Sequence, residues 1–447
     1  MKSLNHDFFL ETDISHIIDC LHSGKIDLSQ IYDLLTNLFT RHDPNYHFAT
    51  CADFTFFKTH STASLKGPLM GIPYMAKDIY NTKAFPTQMG SKAWEEFMPG
   101  NNARVIDSLS TNGACLVGKT GTAEFAIHSL NETINPHHPL HSPGTSSSGS
   151  AVSVALGVVP FSLATQTAAS IVRPASFCGV FGFKPTLGLI PRTGILKTTD
   201  TLDSPGFITS RATSLKPLLD SARVTGHNYP KVHQLVDQAK PQPKPYKIGF
   251  LKTSFFADTP IFIANCIHSL INSIDDSPFV QLEILEDLEE FKCAHRIHQL
   301  IYSKCISHYF KREYLAHKDK ISDLTLELIN QGSNVSPDEY NECIRWQSAF
   351  MRKFNDYISS FDAVITLATT STAPFRNKKE SVDPSLIWTL AGAPSITVPA
   401  GYDANNLPFG IQFIAAKYKD YNLISVINHL AENGLIHSRA LPIALLD

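Results

Sequence analysis

Three short segments combine small residues, turn formers and side chains that could do chemistry. The first, G-I-P-Y-M-A-K-D at residues 71–78, places Lys77 directly after an apolar run. Burial there would lower the pKa of a lysine from about 10.4 toward neutrality, so that its amine could act as a base. The alternative is a surface lysine that pairs with the adjacent Asp78. Taken alone, this segment favours the surface pair.

The other two segments are rich in serine. The stretch S-P-G-T-S-S-S-G-S at residues 142–150 leads into an apolar run at 151–156. A Ser/Gly loop before a helix directs backbone N–H groups and hydroxyls into one small space, which suits an oxyanion or a proton relay. A flexible linker is disfavoured, because an apolar helix follows at once. In A-T-Q-T-A-A-S-I-V-R-P-A-S-F-C-G-V-F-G-F-K-P-T at residues 164–186, small residues surround Ser170. They leave room for a substrate carbonyl. Close packing of two backbone segments, which small residues permit, explains this last segment equally well.

Together the three segments resemble the amidase-signature family, in unbroken order over residues 69–210. Weaker agreement continues in S-L-I-W-T-L-A-G-A-P-S-I-T-V-P-A-G-Y at 385–402 and L-P-F-G-I-Q-F-I at 407–414. The resemblance implies an α/β fold, a single α/β/α domain with a large mixed sheet covered by helices. It also implies that neither a metal nor an organic cofactor takes part.

The resemblance implies a role for each reactive residue. Ser170 is the nucleophile, Ser146 the bridging serine and Lys77 the lysine of a Ser-Ser-Lys triad. Neutral Lys77 takes a proton from Ser146, which takes one from Ser170 as that oxygen attacks the amide carbon. The family counterpart of Ser146 is held by a cis peptide bond, so we expect one between Thr145 and Ser146. The oxyanion would be held by four backbone N–H groups, those of Thr167, Ala168, Ala169 and Ser170.

Several positions depart from the usual pattern of the family. Ala168 and Ala169 stand where two glycines are usual, Thr145 stands where a glycine is common, and Gln166 replaces a frequent aspartate. Left-handed backbone costs an alanine about 1 to 2 kcal/mol, so we expect negative φ at Ala168 and Ala169. Gln166 and the placement of Arg173 resemble malonamidase-type amidases. Arg173 is therefore a candidate substrate-binding residue for a carboxylate, and the alternative is an arginine that satisfies backbone carbonyls.

Apolar periodicity predicts the elements that must position these segments. Residues 26–39 have helical spacing, and short apolar runs between 69 and 210 alternate with helical stretches such as 103–110, which is typical of α/β proteins. The stripe of the first helix consists of Leu28, Ile31, Leu34, Leu35 and Leu38.

The second half of the chain predicts helices that cover the sheet and then strands that join it. Residues 241–245 form a proline-rich joint before a strand at 247–251, and residues 258–357 predict a variable, mainly helical cover. Strands at three places within 363–414 then close the chain, followed by a helix at 421–432. Because late strands that return to an early sheet imply one continuous unit, we expect all 447 residues to form one domain.

Other signals are weaker. G-A-C-L-V-G-K-T at residues 113–120 matches the phosphate-loop pattern, but that motif needs a strand before it and a helix after its lysine. Here a helical segment precedes it, so we expect Gly113 to cap a helix and Lys119 to end a buried strand. The histidines at 128, 137, 138 and 141 lack zinc-ligand spacing. Cys178 has apolar neighbours that favour an inert core thiol.

Composition narrows the function classes. A net charge of −3 gives no basic field for nucleic acid or anionic membranes. The 8 cysteines form no C-x-x-C pair and indicate reduced thiols. Acidic residues interrupt any signal peptide within 1–15, and Pro160 and polar residues break the apolar stretch 151–172. We therefore expect a cytoplasmic protein without membrane or direct nucleic-acid contacts, and a homodimer is one assembly it could form.

The predicted function is hydrolysis of a small carboxamide to a carboxylate and ammonia or an amine. Two alternatives stay open. One is the A subunit of a glutamyl-tRNA amidotransferase, which hydrolyses glutamine and passes ammonia to a partner protein. The other is a catalytically silent family member retained for binding, and the pair Ala168 and Ala169 keeps this alternative open.

Overall fold

A mixed sheet of eleven strands forms the centre of the fold. The computed structural model describes residues 4–60, 65–225, 245–381 and 383–443. Residues 241–244 of the predicted proline-rich joint lie outside the described part of the chain.

The strands come from almost every part of the described chain. They are β1 Ala49–Ala52, β2 Pro73–Lys77, β3 Cys115–Thr120, β4 Phe161–Gln166, β5 Phe181–Lys184, β6 Ser204–Thr209, β7 Tyr246–Leu251, β8 Val280–Leu285, β9 Ala363–Leu367, β10 Ser395–Tyr402 and β11 Pro408–Ile414. Their order in the sheet is β1-β3-β2-β4-β6-β5-β10-β11-β9-β7-β8. The late strands β9, β10 and β11 therefore lie between earlier ones, and the predicted α/β fold with a large mixed sheet is confirmed.

Parallel pairing brings the ends of three strands together. Strand β2 pairs in parallel with β3 on one side and with β4 on the other. Because the carboxyl ends of parallel strands meet at one edge of a sheet, the last residues of these strands lie close together. These residues are Lys77, Thr120 and Gln166. This edge is where the candidate site is built.

Helices cover the sheet. They are α1 Phe8–Glu11, α2 Ile14–His22, α3 Leu28–Tyr46, α4 Thr55–Thr59, α5 Arg104–Thr111, α6 Ser148–Ala155, α7 Val172–Cys178, α8 Leu215–Ala222, α9 Ile261–Asp275, α10 Phe291–Tyr309, α11 Lys311–Ala316, α12 Asp323–Ser333, α13 Pro337–Ile358, α14 Leu386–Leu390 and α15 Asp420–Glu432. None of the helices in the described ranges is long and apolar enough to cross a membrane.

The predicted first helix is confirmed as part of α3. Asp27 and Gln30 form a capping box at its start, in which each side chain bonds a backbone N–H of the other. All five residues of the predicted stripe are buried. The helix runs on to Tyr46, and His47 ends it in a left-handed conformation.

Helices α6 and α7 are buried along their whole length. Small residues make this close packing possible. A Cβ atom on Gly149 would lie 2.3 Å from the carbonyl oxygen of Phe48, and one on Gly144 would lie 2.6 Å from Cα of Pro174. Gly144 also has φ of +88°, which favours glycine. The Ser/Gly loop is therefore a packed part of the core.

The predicted cover at 258–357 is mainly helical, as expected, but it also contains a strand that the sequence analysis missed. Strand β8 pairs in parallel with β7 at the outer edge of the sheet. Most of its side chains are exposed or half-buried. An edge strand of this kind lacks the continuous apolar run of an inner strand, so its pattern does not stand out between two helices.

Candidate active site

The buried amine of Lys77 is the centre of the site. It lies at the end of β2, and its Nζ atom is 2.7 Å from Ser146 Oγ, 3.1 Å from Ser147 Oγ and 3.2 Å from Thr165 Oγ1. Thr165 belongs to the neighbouring strand β4, while the two serines lie at the start of α6. The strand edge and the Ser/Gly loop therefore place three hydroxyls around one amine.

The environment of Lys77 disfavours its charged form. The residue is 0% exposed, and this burial holds its pKa well below the usual value. The charge of Arg173 lowers the pKa further, whereas Asp203 acts in the opposite direction. The adjacent Asp78 pairs instead with Lys119 Nζ at 2.9 Å. The alternative of a surface lysine paired with Asp78 is therefore wrong.

The loop before α6 holds Ser146 by its backbone. The peptide bond between Thr145 and Ser146 is cis, as expected. The carbonyl oxygen of Ser146 accepts hydrogen bonds from Thr122 Oγ1 at 3.1 Å and from the N–H of Ala123 at 3.3 Å. These contacts tie the loop to the segment that follows β3.

Glu380, which is distant in the sequence, also holds the loop before α6. Its Oε1 atom accepts from Ser142 Oγ at 2.6 Å and from the N–H of Thr145 at 3.1 Å. Its Oε2 atom accepts from Thr145 Oγ1 at 2.7 Å. Burial acts to raise the pKa of Glu380, but Arg173 and the two hydroxyls bring it below the usual value. An ionised carboxylate therefore fixes the loop that carries Ser146.

Ser170 lies in the turn between β4 and α7. It is 3% exposed, and its hydroxyl has no hydrogen-bond partner within the described residues. The side chain of Gln166 stabilises the turn, because its Oε1 atom accepts from the N–H groups of Ile171 at 2.9 Å and Val172 at 3.0 Å. The amide of Gln166 thus caps the start of α7. The hydroxyl of Ser170 is buried beside this cap and makes no hydrogen bond with the described residues.

The backbone of the same turn presents N–H groups without partners. Among the described residues, no acceptor bonds the N–H groups of Thr167, Ala168, Ala169 or Ser170. Neither Ala168 nor Ala169 has a positive φ, so the expected negative φ is confirmed at both. The two alanines therefore fit the turn without left-handed strain.

Three hydrogen bonds to the carbonyl groups of this turn orient its peptide planes. The carbonyl of Thr167 accepts from His298 Nε2 at 2.8 Å, and that of Ala168 accepts from Thr389 Oγ1 at 2.6 Å. The carbonyl of Ala169 accepts from the N–H of Arg173 at 2.8 Å. In a trans peptide the C=O and the following N–H point in opposite directions. The N–H groups of Ala168, Ala169 and Ser170 therefore each point away from the partner that holds the preceding carbonyl.

His298 contributes to this arrangement as a neutral imidazole. Burial lowers its pKa to about 4, although the bond to Thr167 acts to raise it. Because a carbonyl oxygen only accepts, Nε2 of His298 carries the hydrogen. His298 lies on α10, in the cover.

Arg173 is already paired with protein groups. Its Nη1 atom lies 2.5 Å from Glu380 Oε2 and 3.3 Å from Asp383 Oδ2, and its Nε donates to the carbonyl of Thr145 at 3.2 Å. The guanidinium is almost fully buried. Its Nη2 atom, by contrast, is buried and has no hydrogen-bond partner among the described residues. Arg173 therefore satisfies one backbone carbonyl, that of Thr145, and keeps one donor that a carboxylate could use.

A cavity of about 890 Å³ lies beside the turn. Its buried wall includes Ala168, Arg173, His298, Tyr302 and Asp383. A smaller cavity of about 150 Å³ is lined by Thr165, Thr167 and Asp203, among others. The turn that carries Ser170 therefore contributes residues to the walls of two cavities.

Comparison with known proteins shows the family. The sequence model of the family described as Amidase matches residues 55–424. The chain belongs to the amidase family. This amidase is an enzyme of the hydrolase class that acts on C–N bonds.

Two relatives are both described as the A subunit of glutamyl-tRNA(Gln) amidotransferase. The relative from Agathobacter rectalis is 30% identical in an alignment of 406 positions that covers 80% of this chain and 80% of the relative. The relative from Legionella pneumophila (strain Paris) is 28% identical in an alignment of 413 positions that covers 83% of this chain and 85% of the relative. The structure of native peptide amidase from Stenotrophomonas maltophilia is 22% identical and has a TM-score of 0.83, with 99% of this chain and 100% of that chain covered. The last comparison shows a shared fold.

The signals set aside in the sequence are structural in this amidase. Gly113 has φ of +91° just after α5, and Lys119 lies in buried β3, so the predicted helix cap and buried strand are confirmed. Cys178 is fully buried, and burial raises the pKa of its thiol. The predicted burial of this thiol in the core is therefore confirmed.

Three residues that position the site of this amidase were not singled out from the sequence. Thr389 lies in the segment 385–402 that resembles the family, so a signal was present there but gave it no role. Glu380 and His298 lie in segments without a readable motif. Their contacts with the site join residues more than a hundred positions apart, at separations of 235 for Glu380 and Thr145 and 131 for His298 and Thr167. Only the folded chain makes these contacts visible.

Proposed function

We propose that this amidase hydrolyses a small carboxamide through an acyl-enzyme on Ser170. The observation that carries the proposal is the buried amine of Lys77, which has a lowered pKa and lies 2.7 Å from Ser146 Oγ. Within the described residues it has hydroxyl partners and no ion pair. A neutral amine in such a place can take up a proton from a serine.

The proposed reaction uses one relay in both directions. Ser170 Oγ attacks the amide carbon and passes its proton to Ser146, whose own proton moves to Lys77. The C–N bond then breaks, and the relay returns the proton to the departing ammonia or amine. A water molecule attacks the resulting ester by the same route, which releases the carboxylate and restores the Ser170 hydroxyl.

The negative charge that forms on the substrate oxygen needs donors, and the turn before α7 supports this role. The N–H groups of Thr167, Ala168, Ala169 and Ser170 have no acceptor within the described residues. Three carbonyl bonds hold the peptide planes of the last three of these N–H groups. Donors that are fixed before the reaction lower its barrier, and loss of one donor typically costs about 2.7 to 4 kcal/mol.

The finer assignment to malonamidase-type enzymes has mixed support. The side chain of Gln166 caps α7, so the glutamine has a clear local role in the turn. For the carboxylate clamp attributed to Arg173, Glu380 and Asp383 already face the Nη1 side of the guanidinium, whereas Nη2 is a buried donor without a partner among the described residues. We therefore propose amide hydrolysis with Arg173 as a residue that holds the site together.

The second candidate is glutamine hydrolysis within an amidotransferase. It is favoured by the relatives, which are described as the A subunit of glutamyl-tRNA(Gln) amidotransferase. In this case the ammonia would pass to a partner protein. The two candidates share the relay and differ in the substrate and in the need for a partner.

An ammonia-release assay separates the candidates. The purified chain is given a set of small primary amides and, separately, glutamine, with Ser170→Ala as the control for contaminating activity. We expect turnover of small amides by the wild-type chain alone and none by the variant. Turnover of glutamine only, and only together with a tRNA-binding partner protein, would favour the second candidate. Turnover that survives Ser170→Ala would refute both.

We also propose a cytoplasmic location. All eight cysteines are free in the structure, and Cys20, Cys115, Cys178, Cys305 and Cys343 are buried. Free thiols of this kind are typical of a reducing compartment.

A further inference from the structure

The hydroxyl of Tyr302 is an unpaired donor on the wall of the larger cavity. Tyr302 lies on α10, one helical turn after His298, and the residue is 2% exposed. Its hydroxyl makes no hydrogen bond within the described residues. A buried phenol usually has a hydrogen-bond partner. The donor of Tyr302 is therefore available to a group that enters the cavity.

The Tyr302 hydroxyl differs from two other unpaired groups on the same wall. Arg173 Nη2 and His298 Nδ1 are both buried atoms without a partner among the described residues. The hydroxyl oxygen of Tyr302 is not buried in this way, although its ring is, so it reaches the space inside the cavity. The unpaired Oγ atom of Ser170 is not buried in this way either. Both hydroxyls are therefore accessible.

The charges that act on Tyr302 indicate that its hydroxyl lies beside the turn that carries Ser170. Burial raises the pKa of Tyr302, Asp203 raises it further, and Arg173 lowers it. Asp203 accepts from Thr167 Oγ1 at 2.9 Å, three residues before Ser170, and Arg173 lies three residues after Ser170. The phenol is therefore close to groups on both sides of the proposed nucleophile.

Two imidazoles hold the ring of Tyr302. The ring of His298 is stacked on it with the centroids 5.7 Å apart, and the ring of His128 meets it edge-on at 6.1 Å. Burial lowers the pKa of His298 to about 4 and that of His128 to about 3, so both imidazoles are neutral. Because the pKa of Tyr302 is raised, its phenol stays protonated. The donor oxygen is therefore held in place before a substrate binds.

We infer that Tyr302 donates a hydrogen bond to the substrate, so that the preferred carboxamides have an acceptor oxygen on the acyl part. This inference rests on the proposed function and concerns the substrate class. Ala168 and Arg173, which flank Ser170 in the chain, line the same cavity as Tyr302. An acyl group bonded to Ser170 can therefore extend past the phenol. A hydrocarbon chain at this place would exclude water and leave the hydroxyl unpaired, which costs free energy.

The test is a binding measurement with two pairs of primary amides, and it does not depend on turnover. Ser170→Ala protein is titrated, by ligand-observed NMR, with methoxyacetamide and butanamide and then with 3-methoxypropanamide and pentanamide. In each pair an ether oxygen replaces one methylene group, so the size is kept and only an acceptor is added. The two pairs place this oxygen at different distances from the amide. A neutral hydrogen bond should make at least one ether bind about fivefold more tightly than its hydrocarbon partner.

Two further variants assign the preference to a residue. Tyr302→Phe, added to Ser170→Ala, removes only the hydroxyl and should abolish the preference for the ether. Tyr309→Phe is the matched control, because Tyr309 lies on the same helix, bonds Asp200 through its hydroxyl and lines neither of the two cavities near the turn. The preference should survive in this control.

The outcomes distinguish the inference from the function on which it rests. Equal binding within both pairs, weaker binding of both ethers, or no binding of any amide would overturn the inference. So would a preference that survives Tyr302→Phe. Tightest binding of the anionic succinamate, unchanged by Tyr302→Phe, would assign the acceptor to Arg173 Nη2 and would also overturn it.

Two controls keep the test decisive. If Tyr302→Phe fails to fold, the order of affinities measured with Ser170→Ala alone decides. Separately, hydrolysis of butanamide by the wild-type chain tests the proposed function, and its absence would count against that function whatever the order of binding.

Discussion

Two regions contribute different kinds of group to the site. One is the sheet edge formed by β2 and β4, and the other is helix α10 of the cover. The strand edge and the loops that follow it carry the groups proposed to react, Lys77, Ser146 and Ser170. Helix α10 carries His298, which donates a hydrogen bond to the carbonyl of Thr167 in the turn before α7. The reacting groups thus come from short local motifs. Two of the groups that hold the turn, His298 and Thr389, come from distant parts of the chain. We therefore expect substitutions in the cover to change the orientation of the turn and the choice of substrate, and to leave the proton relay itself unchanged.

A second contact joins the two regions. Glu124, in the segment after β3, accepts hydrogen bonds from Ser322 and Thr325 at the start of α12. It also accepts from Ser91 Oγ at 2.9 Å. The carboxylate therefore fastens the cover to the core next to the loop that supports Ser146. We therefore expect substitutions of the reacting groups to lower kcat strongly. Substitutions of the groups that position them should lower kcat by smaller amounts.

The largest effect is expected from the relay. Lys77→Met and Ser170→Ala should each lower kcat on any hydrolysed amide by at least about 10⁴-fold, because members of a relay act as a unit. Methionine keeps most of the buried volume of Lys77, so the fold should survive, which circular dichroism checks. A Lys77→Met variant that keeps most of its rate would show that the amine is not the base.

An intermediate effect is expected from His298. His298→Ala removes the donor to the carbonyl of Thr167 and should lower kcat by about 10-fold to 100-fold, less than the loss of an oxyanion donor itself, with little change in KM. His298→Gln keeps an N–H donor and should recover part of the rate. His308→Ala, an exposed histidine on the same helix, is the matched control. Equal losses in the alanine and glutamine variants would indicate a packing role only.

The buried amine should also appear in the pH dependence of stability. Burial holds the pKa of Lys77 well below the usual 10.5, so between the lowered pKa and about pH 10 the unfolded chain binds one proton more than the folded chain. Stability rises with pH wherever the unfolded state binds more protons. The free energy of unfolding of wild type relative to Lys77→Met should therefore rise with pH in this window, by up to about 1.4 kcal/mol per pH unit. Parallel curves from denaturant titrations would contradict a neutral lysine.

The smallest effect is expected from the alanine pair. With negative φ at both positions, Ala168 and Ala169 add only methyl groups near the reacting carbon. Ala169→Gly should therefore widen the range of accepted acyl groups more than it raises the rate on the smallest amides, as measured by kcat/KM across a series of growing acyl chains. A wild-type chain that is inert on every amide, together with a double glycine variant that is active, would support the silent family member instead.

Much of this architecture could be predicted from the sequence. The helix at α3, the closing strands and the Ser/Gly loop all followed from local periodicity and small-residue patterns. Strand β8 did not, because its exposed side chains give an edge strand no apolar run. The pairing of Asp78 could not be predicted either. The local sequence favoured a pair with the adjacent Lys77, but in the structure Asp78 pairs with the distant Lys119. Glu380 and Asp383 gave no local signal, because their roles arise only when the loop that carries them meets Arg173.

Covalent labelling of the nucleophile tests the central claim most directly. An alkyl fluorophosphonate transfers its phosphonyl group to an activated serine as fluoride leaves, and it needs no knowledge of the amide substrate. Tandem mass spectrometry should place a single adduct on Ser170 in the wild-type chain. Labelling should become at least about 100-fold slower in Lys77→Met, because the serine then lacks its proton acceptor. An adduct on another serine, or an unchanged rate in Lys77→Met, would contradict the proposed relay.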